Sequence, residues 1–271
     1  MKTLYVSDLD ETLLRSDETI STFTAETINS LIEKGLIFSY ATARSYHTAS
    51  KVTRGLSPKL PLIVYNGTFI VEGDTQKRLL ANFFSPKDLR LILDLLLQSE
   101  VYPLVRALHG DAERSTYCIN RVNPAQQKFL DRRRNDPRYT PVTDPASLSN
   151  GDAFCILAID KPERLRPLYE QLKDICACNY FLDPYTSEYW LEINPRNATK
   201  ASAILSLKLL LGCDRIVCFG NGSNDVSMFR VADECYAVRN AVDSLKALAT
   251  AVIDSNDEDG VAKWLLENAK I

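Results

Sequence analysis

Two carboxylates two residues apart, Asp8 and Asp10, follow closely on the apolar run Leu4-Tyr5-Val6. If the extended geometry of that run persists, both side chains lean to one face. A carboxylate can attack phosphorus and form an aspartyl-phosphate, which divides ester hydrolysis into two easier steps. Its neighbour can protonate the leaving alcohol and then deprotonate the attacking water. Two anions beside a phosphate dianion need a cation. Mg2+ suits the place, because it takes about six oxygen ligands, carboxylates and waters among them, and bridges to phosphate. The same Asp-x-Asp-Glu-Thr string also reads as a turn with Asp at a helix cap.

Two further polar clusters end apolar runs: Thr42 and Arg44 after Leu36-Ile37-Phe38-Ser39-Tyr40, and Asn221, Asn224 and Asp225 after Arg215-Ile216-Val217-Cys218-Phe219. Thr42 can hydrogen-bond a phosphoryl oxygen or cap the helix that starts near Ser45. Asn221 and Asp225 can help hold a cation, with Asn224 turned to phosphate, or they form a polar glycine-rich turn. Lys200 stands near a helix start, where the macrodipole disfavours a cation. An anionic ligand explains that placement, and so does a solvated lysine.

What must position these residues is a set of strands whose carboxyl ends share one edge, the place where open α/β sheets bind ligands. Short apolar strands at 4–6, 36–40, 62–65, 215–219 and 251–253 alternate with helices. Such near-continuous apolar strands predict a parallel sheet covered on both faces. Ser21 caps the first helix, which turns Phe23, Thr27, Leu31 and Ile32 to one side, and Gly35 ends it. The final third adds helices at 199–211 and 261–269. The middle of the chain differs: a helix opened by Pro86, carrying Leu89, Ile92, Leu93, Leu96 and Leu97 at helical spacing, precedes strands near 101–107 and 115–120. A basic helix at 124–134, a strand at 154–159, a helix at 162–175 and one or two strands over 180–193 complete it. The expected architecture is an α/β domain, residues 1–82 and 190–271, interrupted by an inserted α+β domain over 83–189.

In their order along the chain these elements resemble the haloacid dehalogenase (HAD) superfamily of phosphatases, and within it the Cof-type branch. The resemblance rests on Asp8-Leu9-Asp10-Glu11-Thr12-Leu13-Leu14, Ala41-Thr42-Ala43-Arg44, Tyr65-Asn66-Gly67, Lys200 and Gly220-Asn221-Gly222-Ser223-Asn224-Asp225-Val226-Ser227-Met228. Leu191-Glu192-Ile193-Asn194-Pro195 and Ser255-Asn256-Asp257-Glu258-Asp259-Gly260-Val261-Ala262 add to it. It implies a Rossmann-like core with a parallel sheet and an inserted C2-type cap. It further implies that Asp8 is the nucleophile and a Mg2+ ligand, and that Asp10 is the general acid/base, its backbone carbonyl on the metal. Leu9 and Ala43 would meet the phosphoryl group through their backbone, and Thr42, Lys200 and Asn224 through their side chains. Asn221 and Asp225 would complete the metal site, with Arg44 and Asn66 on the substrate side. Three positions depart from the family pattern: Glu11 and Ala43 stand where glycine is usual, and Asn221 stands where a metal-ligating Asp is usual. An amide oxygen can ligate Mg2+ but brings no charge, so affinity falls unless Asp225 compensates.

Composition bounds the partners. The 271 residues carry 32 Lys+Arg against 35 Asp+Glu, a net charge of −3. That balance argues against a nucleic-acid binder that relies on a strongly basic surface. No apolar run approaches the roughly 18 residues that span a bilayer, and a carboxylate arrives too early for a signal-peptide apolar core. A soluble, cytoplasmic protein without a membrane partner is expected. The seven cysteines, at 118, 155, 176, 178, 213, 218 and 235, are odd in number and scattered, which favours free buried thiols over a disulfide framework. With only His47 and His109 in the chain, a zinc site is not expected.

The inserted segment carries Arg106, His109, Arg114, Arg121, Lys128, Arg132-Arg133-Arg134 and Arg138, a local basic excess that could attract an anionic substrate. For Arg132–Arg134 a solvated helix face is the preferred reading. Tyr180, Phe181, Tyr185, Tyr189 and Trp190 are expected to pack two strands of this segment together. The function expected is a Mg2+-dependent phosphomonoesterase acting on small phosphorylated metabolites, sugar phosphates or similar. A phosphotransferase or phosphomutase on the same fold is the first alternative. A non-catalytic phospho-ligand-binding protein, suggested by Asn221, is the second.

Overall fold

The computed structural model describes residues 1–57, 61–183 and 186–271. The chain divides into two compact units, Met1–Ala81 with Ala198–Ile271, and Asn82–Asn197. In the first, β1 (Thr3–Ser7), α1 (Thr22–Glu33), β2 (Ile37–Tyr40), α2 (Tyr46–Val52), β3 (Leu62–Val64), β4 (Phe69–Val71) and β5 (Arg78–Ala81) follow in order. The second holds α3 (Pro86–Gln98), β6 (Leu104–His109), β7 (Ala112–Cys118), α4 (Pro124–Asp131), β8 (Tyr139–Val142), β9 (Asp152–Asp160), α5 (Pro162–Leu172), β10 (Ala177–Leu182) and β11 (Tyr189–Asn194). The chain then returns through α6 (Lys200–Leu211), β12 (Arg215–Gly220), α7 (Val226–Phe229), β13 (Glu234–Val238), α8 (Asp243–Lys246), β14 (Ala251–Ile253) and α9 (Gly260–Asn268).

The first unit is built on a five-stranded sheet in the order β14-β13-β12-β1-β2, with every pairing parallel. β1 is flanked on both sides, by β12 and β2, and buried along its whole length, as its apolar run demands. Ser21 caps α1 by accepting from the Thr24 amide. The buried stripe of that helix is Thr24, Ala25, Ile28, Leu31 and Ile32, whereas Phe23 is exposed. The helical phase therefore lies one residue on from the Phe23-Thr27 assignment. Leu62–Val64 also departs from expectation. It heads a separate antiparallel sheet, β3-β4-β5, and touches the parallel sheet through one parallel bridge, Ala41 to Ile63. The Asn66-Gly67 turn folds the chain back after β3, so no crossover helix returns it to the main sheet.

The second unit is a six-stranded mixed sheet, β10-β11-β9-β6-β7-β8. Leu89, Ile92, Leu93 and Leu96 of α3 join Leu165, Leu168 and Leu172 of α5 in one core with Val105, Ile156 and Leu191. A smaller cluster gathers Phe129 and Leu130 of α4 with Leu104, Leu157 and Ile159. The return to the first unit falls at Asn197/Ala198, not near residue 190. β11 causes the difference, since it pairs antiparallel with both β9 and β10 and so belongs wholly to this sheet. Tyr180 stacks on Tyr189 at 5.4 Å between ring centres and on Tyr169 at 5.6 Å, and Trp190 packs edge-on against Phe129. Tyr185 lies outside the described residues. Arg132 and Arg134 are exposed, while the Arg133 guanidinium lies 3.7 Å from the centre of the Phe129 ring. All seven cysteines are free thiols, six of them buried. Among the described residues no helix is long and apolar enough to cross a membrane.

Candidate active site

Asp8 leaves the end of β1, where its amide donates to the Phe219 carbonyl of β12. Its carboxylate is buried. Lys200, the first residue of α6, reaches it with Nζ 2.5 Å from Asp8 Oδ1 and 2.7 Å from Asp225 Oδ1. Side-chain exposure is 1% for Lys200, 6% for Asp8 and 0% for Asp225. The three buried groups thus carry two potential negative charges against one positive. Burial, and next the charge of Asp225, push the Asp8 carboxyl up to about 7 against the pull of Lys200. Burial opposes the Lys200 ammonium, but Asp225 and Asp8 outweigh it and hold the lysine above its ordinary pKa. A cation at the start of α6 is explained by these partners.

The strand ends and turns that carry these residues need glycine at two places. A Cβ on Gly67, which has φ +99°, would lie 2.1 Å from the Thr199 carbonyl oxygen, so only glycine lets this turn rest against the start of α6. A Cβ on Gly220 would lie 2.8 Å from Asp225 Oδ2. That close approach lets Asp225 fold back and accept from the Asn221 and Gly222 amides at 2.9 and 3.0 Å.

On the other side of Asp8, Thr12 Oγ1 stands 3.3 Å from Asp8 Oδ2 and 3.1 Å from Asn221 Oδ1. One hydroxyl proton cannot serve both acceptors. Two oxygens, one of them on a buried carboxylate, therefore converge where the protein supplies a single hydrogen. This donor set is all hard oxygen beside a surplus of negative charge, and it fits Mg2+. The set is smaller than the sequence suggested. Among the described residues no three Asp, Glu, His or Cys side chains group closely enough to hold a metal. Both Asp225 oxygens are taken by Lys200 and two backbone amides, so Asp225 anchors the lysine and the loop. Asp10 is held by Arg44, whose Nε lies 3.0 Å from both carboxylate oxygens and whose Nη2 donates to Asp10 and, at 2.7 Å, to Glu18.

The remaining expected residues line the same edge. Thr42 is fully buried. Its amide donates to Ile63, its carbonyl accepts from the Asn66 amide, and its hydroxyl accepts from the Arg44 amide at 3.1 Å. Ala43 is exposed and does not adopt a left-handed backbone, so alanine fits there without strain. Leu9 is buried, with its carbonyl accepting from Leu14. Asn66 is buried in the turn after β3. Asn224 lies beside Gly222, where a Cβ would come 2.7 Å from its Oδ1. Sequence reasoning gave no role to Thr12, Glu11 or Glu18. Thr12 had a signal in its position four residues after Asp8, but Glu18 had none.

A family model for haloacid dehalogenase-like hydrolases matches residues 5–265. The chain belongs to that family. Among curated HAD relatives, two 5-amino-6-(5-phospho-D-ribitylamino)uracil phosphatases of Bacillus subtilis are similar end to end. YitU is 25% identical over 274 residues, covering 97% of this chain and 96% of its own. YwtE is 26% identical over 278 residues, covering 95% of each. A crystal structure from Thermotoga maritima is 26% identical with a TM-score of 0.77, covering 100% of this chain and 98% of that one. The HAD subclass IIB sugar phosphatase BT4131 shares the fold at 19% identity and a TM-score of 0.76, over 98% of both chains. The enzyme class expected from the order of the motifs, an HAD-type phosphatase, is the class these curated relatives share.

Proposed function

We propose that the protein is a Mg2+-dependent phosphomonoesterase that hydrolyses small phosphorylated metabolites through an aspartyl-phosphate at Asp8. The observation that carries this reading is the buried Asp8 carboxylate, fixed by Lys200 on one oxygen, with Asp10 two residues on. Asp8 attacks the substrate phosphorus and the ester P–O bond breaks. Asp10 gives its proton to the leaving oxygen, then takes one from the water that attacks the same phosphorus. The Asp8–phosphorus bond breaks in that second step, releasing inorganic phosphate and restoring the carboxylate. Thr42, Lys200, Asn224 and the backbone at Leu9 and Ala43 are the groups assigned to the phosphoryl oxygens, where fixed donors lower the barrier by charge stabilisation. Arg44 keeps Asp10 in place between the two proton transfers. Asp8, the Asp10 main-chain carbonyl and Asn221 would hold Mg2+, which when bound supplies the positive charge this anionic centre lacks.

Leaving-group selection is assigned to the unit Asn82–Asn197. The Bacillus relatives act on a ribitylaminouracil phosphate, so phosphorylated polyols and sugars head the candidate substrates. The same reading takes a small phosphorylated metabolite as the partner in place of nucleic acid and puts its turnover in the cytoplasm. The test is phosphate release from an aryl phosphate and a metabolite panel across a Mg2+ titration, wild type beside Asp8→Asn. Turnover that needs Mg2+ and vanishes in Asp8→Asn supports the reading. A phosphorylated product in place of free phosphate would make the enzyme a phosphotransferase. Ligand-induced stabilisation without turnover would make it a binding protein.

A further inference from the structure

Glu11 holds a left-handed backbone conformation, φ +52°, that glycine adopts freely and other residues adopt at a cost. Its carbonyl is tied down by Asn240 Nδ2 at 2.8 Å, and its exposed carboxylate stands against the side chain of Asn221, with Oε2 3.3 Å from Nδ2. The backbone of Asn221 is fixed as well, its amide on Asp225 and its carbonyl accepting from Val242. What remains to be set is which end of the amide faces Asp8. A carboxylate can only accept, so it holds the NH2 end toward Glu11. The oxygen is thereby turned toward Thr12 and Asp8, where the unshared acceptors converge.

We infer that Glu11 is a positioning residue for the cation site, aiming Asn221 Oδ1 into it and supplying from outside the ligand shell the negative charge that an amide lacks. The inference rests on the Mg2+ reading given above. A carboxylate accepting from the N–H of a ligating group polarises that group and strengthens it as a ligand. Loss of such a partner commonly costs 10–100-fold in metal affinity.

The test is a calorimetric titration of metal-free, full-length protein with MgCl2, with the melting temperature of each variant recorded before metal is added. Asp8→Asn is expected to abolish binding. Glu11→Gln keeps an oxygen able to accept from Asn221 but removes the charge. It is expected to weaken Mg2+ binding about tenfold, the low end of the range because Glu11 is exposed and screened. Glu11→Ala, which no longer opposes rotation of the amide, is expected to weaken it further. Glu11→Gln combined with Asn221→Asp restores the charge inside the site and is expected to recover wild-type affinity or better. Wild-type affinity in both single Glu11 variants, with binding still lost in Asp8→Asn, would overturn the role of Glu11 while leaving the metal site standing. Binding indifferent to Asp8→Asn would overturn both.

Discussion

Replacing Lys200 by Met tests whether one ammonium holds the catalytic centre together. Methionine matches the length of the lysine stem but leaves Asp8 and Asp225 facing each other in a buried space without a cation. Breaking a buried ion pair by removing one partner costs about 3–5 kcal/mol, because the charge left behind stays desolvated. Here two carboxylates are left behind, which places the expected loss in the upper part of that range. Against a typical total of about 5–15 kcal/mol this is a large fraction. At roughly 2–4 °C per kcal/mol for a unit of this size, a loss of about 4–5 kcal/mol should lower the melting temperature by about 8–20 °C. The loss should also depend on pH. The folded Asp8 carboxyl sits at about 7, above its ordinary 3.8. A carboxyl raised on folding binds extra protons in the native state, so stability drains away as pH climbs toward the folded value. Without Lys200 the folded value moves higher still, and the drain continues past neutrality where the wild type has levelled off. Thermal unfolding in the absence of metal, at pH 6 and pH 8.5, should show a wider gap between wild type and Lys200→Met at the higher pH. A loss under about 1 kcal/mol, or a gap that does not change with pH, would refute the reasoning.

Gly67→Ala places a methyl 2.1 Å from a backbone oxygen at a left-handed φ, where no side-chain adjustment can relieve the clash. Denaturant unfolding should report a loss of about 3 kcal/mol or more, and one under 1 kcal/mol would deny the close contact with Thr199. Asp259 binds the segment after Asp8 to α9, accepting from Ser21 and Thr24 on one oxygen and Arg15 on the other. Burial works against its charge, yet those hydrogen bonds hold its carboxyl below the ordinary value. Its contribution is therefore present above about pH 4 and lost as pH falls through the folded value. Asp259→Asn, which tolerates the φ of +58°, should lower the melting temperature at pH 7, and the gap to wild type should narrow as pH falls below about 4. Arg44→Lys exchanges a planar fork on Asp10 for a point charge, so kcat should fall by about tenfold or more with little change in apo stability. Wild-type kcat would remove Arg44 from the account.

The parts of this site that were legible in the sequence are those fixed by local pattern. Apolar strands that stop at Asp8, Thr42 and Asn221 identify both the sheet and the edge where these polar side chains gather, and Lys200 stands out as a cation at a helix start. The parts that were not legible depend on approach between distant segments. Asp225 reads as a metal ligand until Gly220 lets it fold back onto Lys200 and the loop amides. The pairing of Arg44 with Asp10 and Glu18 joins the β2–α2 connection to the β1–α1 connection, and no spacing announces it. Among the elements, β13 carries only Glu-Cys-Tyr-Ala-Val and gives no strand period of its own, although pairing with β12 buries it. The β4–β5 hairpin follows a reversal at Asn66-Gly67 that the strand expected at 62–65 does not announce. β11 straddles the boundary expected at 189/190 because its aromatic and apolar residues suit either sheet. Its pairing with β9 and β10 decides the matter.

The central claim is that Asp8 carries the phosphoryl group. Asp10→Asn with an activated aryl phosphate tests it most directly, since that leaving group needs no proton but the hydrolytic water has lost its base. The covalent enzyme should then accumulate. Acid quenching, borohydride reduction and peptide mass spectrometry should find homoserine at position 8, the product of a reduced aspartyl-phosphate. Homoserine absent from position 8 in an enzyme whose wild type turns over the same ester, or turnover that survives in Asp8→Asn, would contradict it.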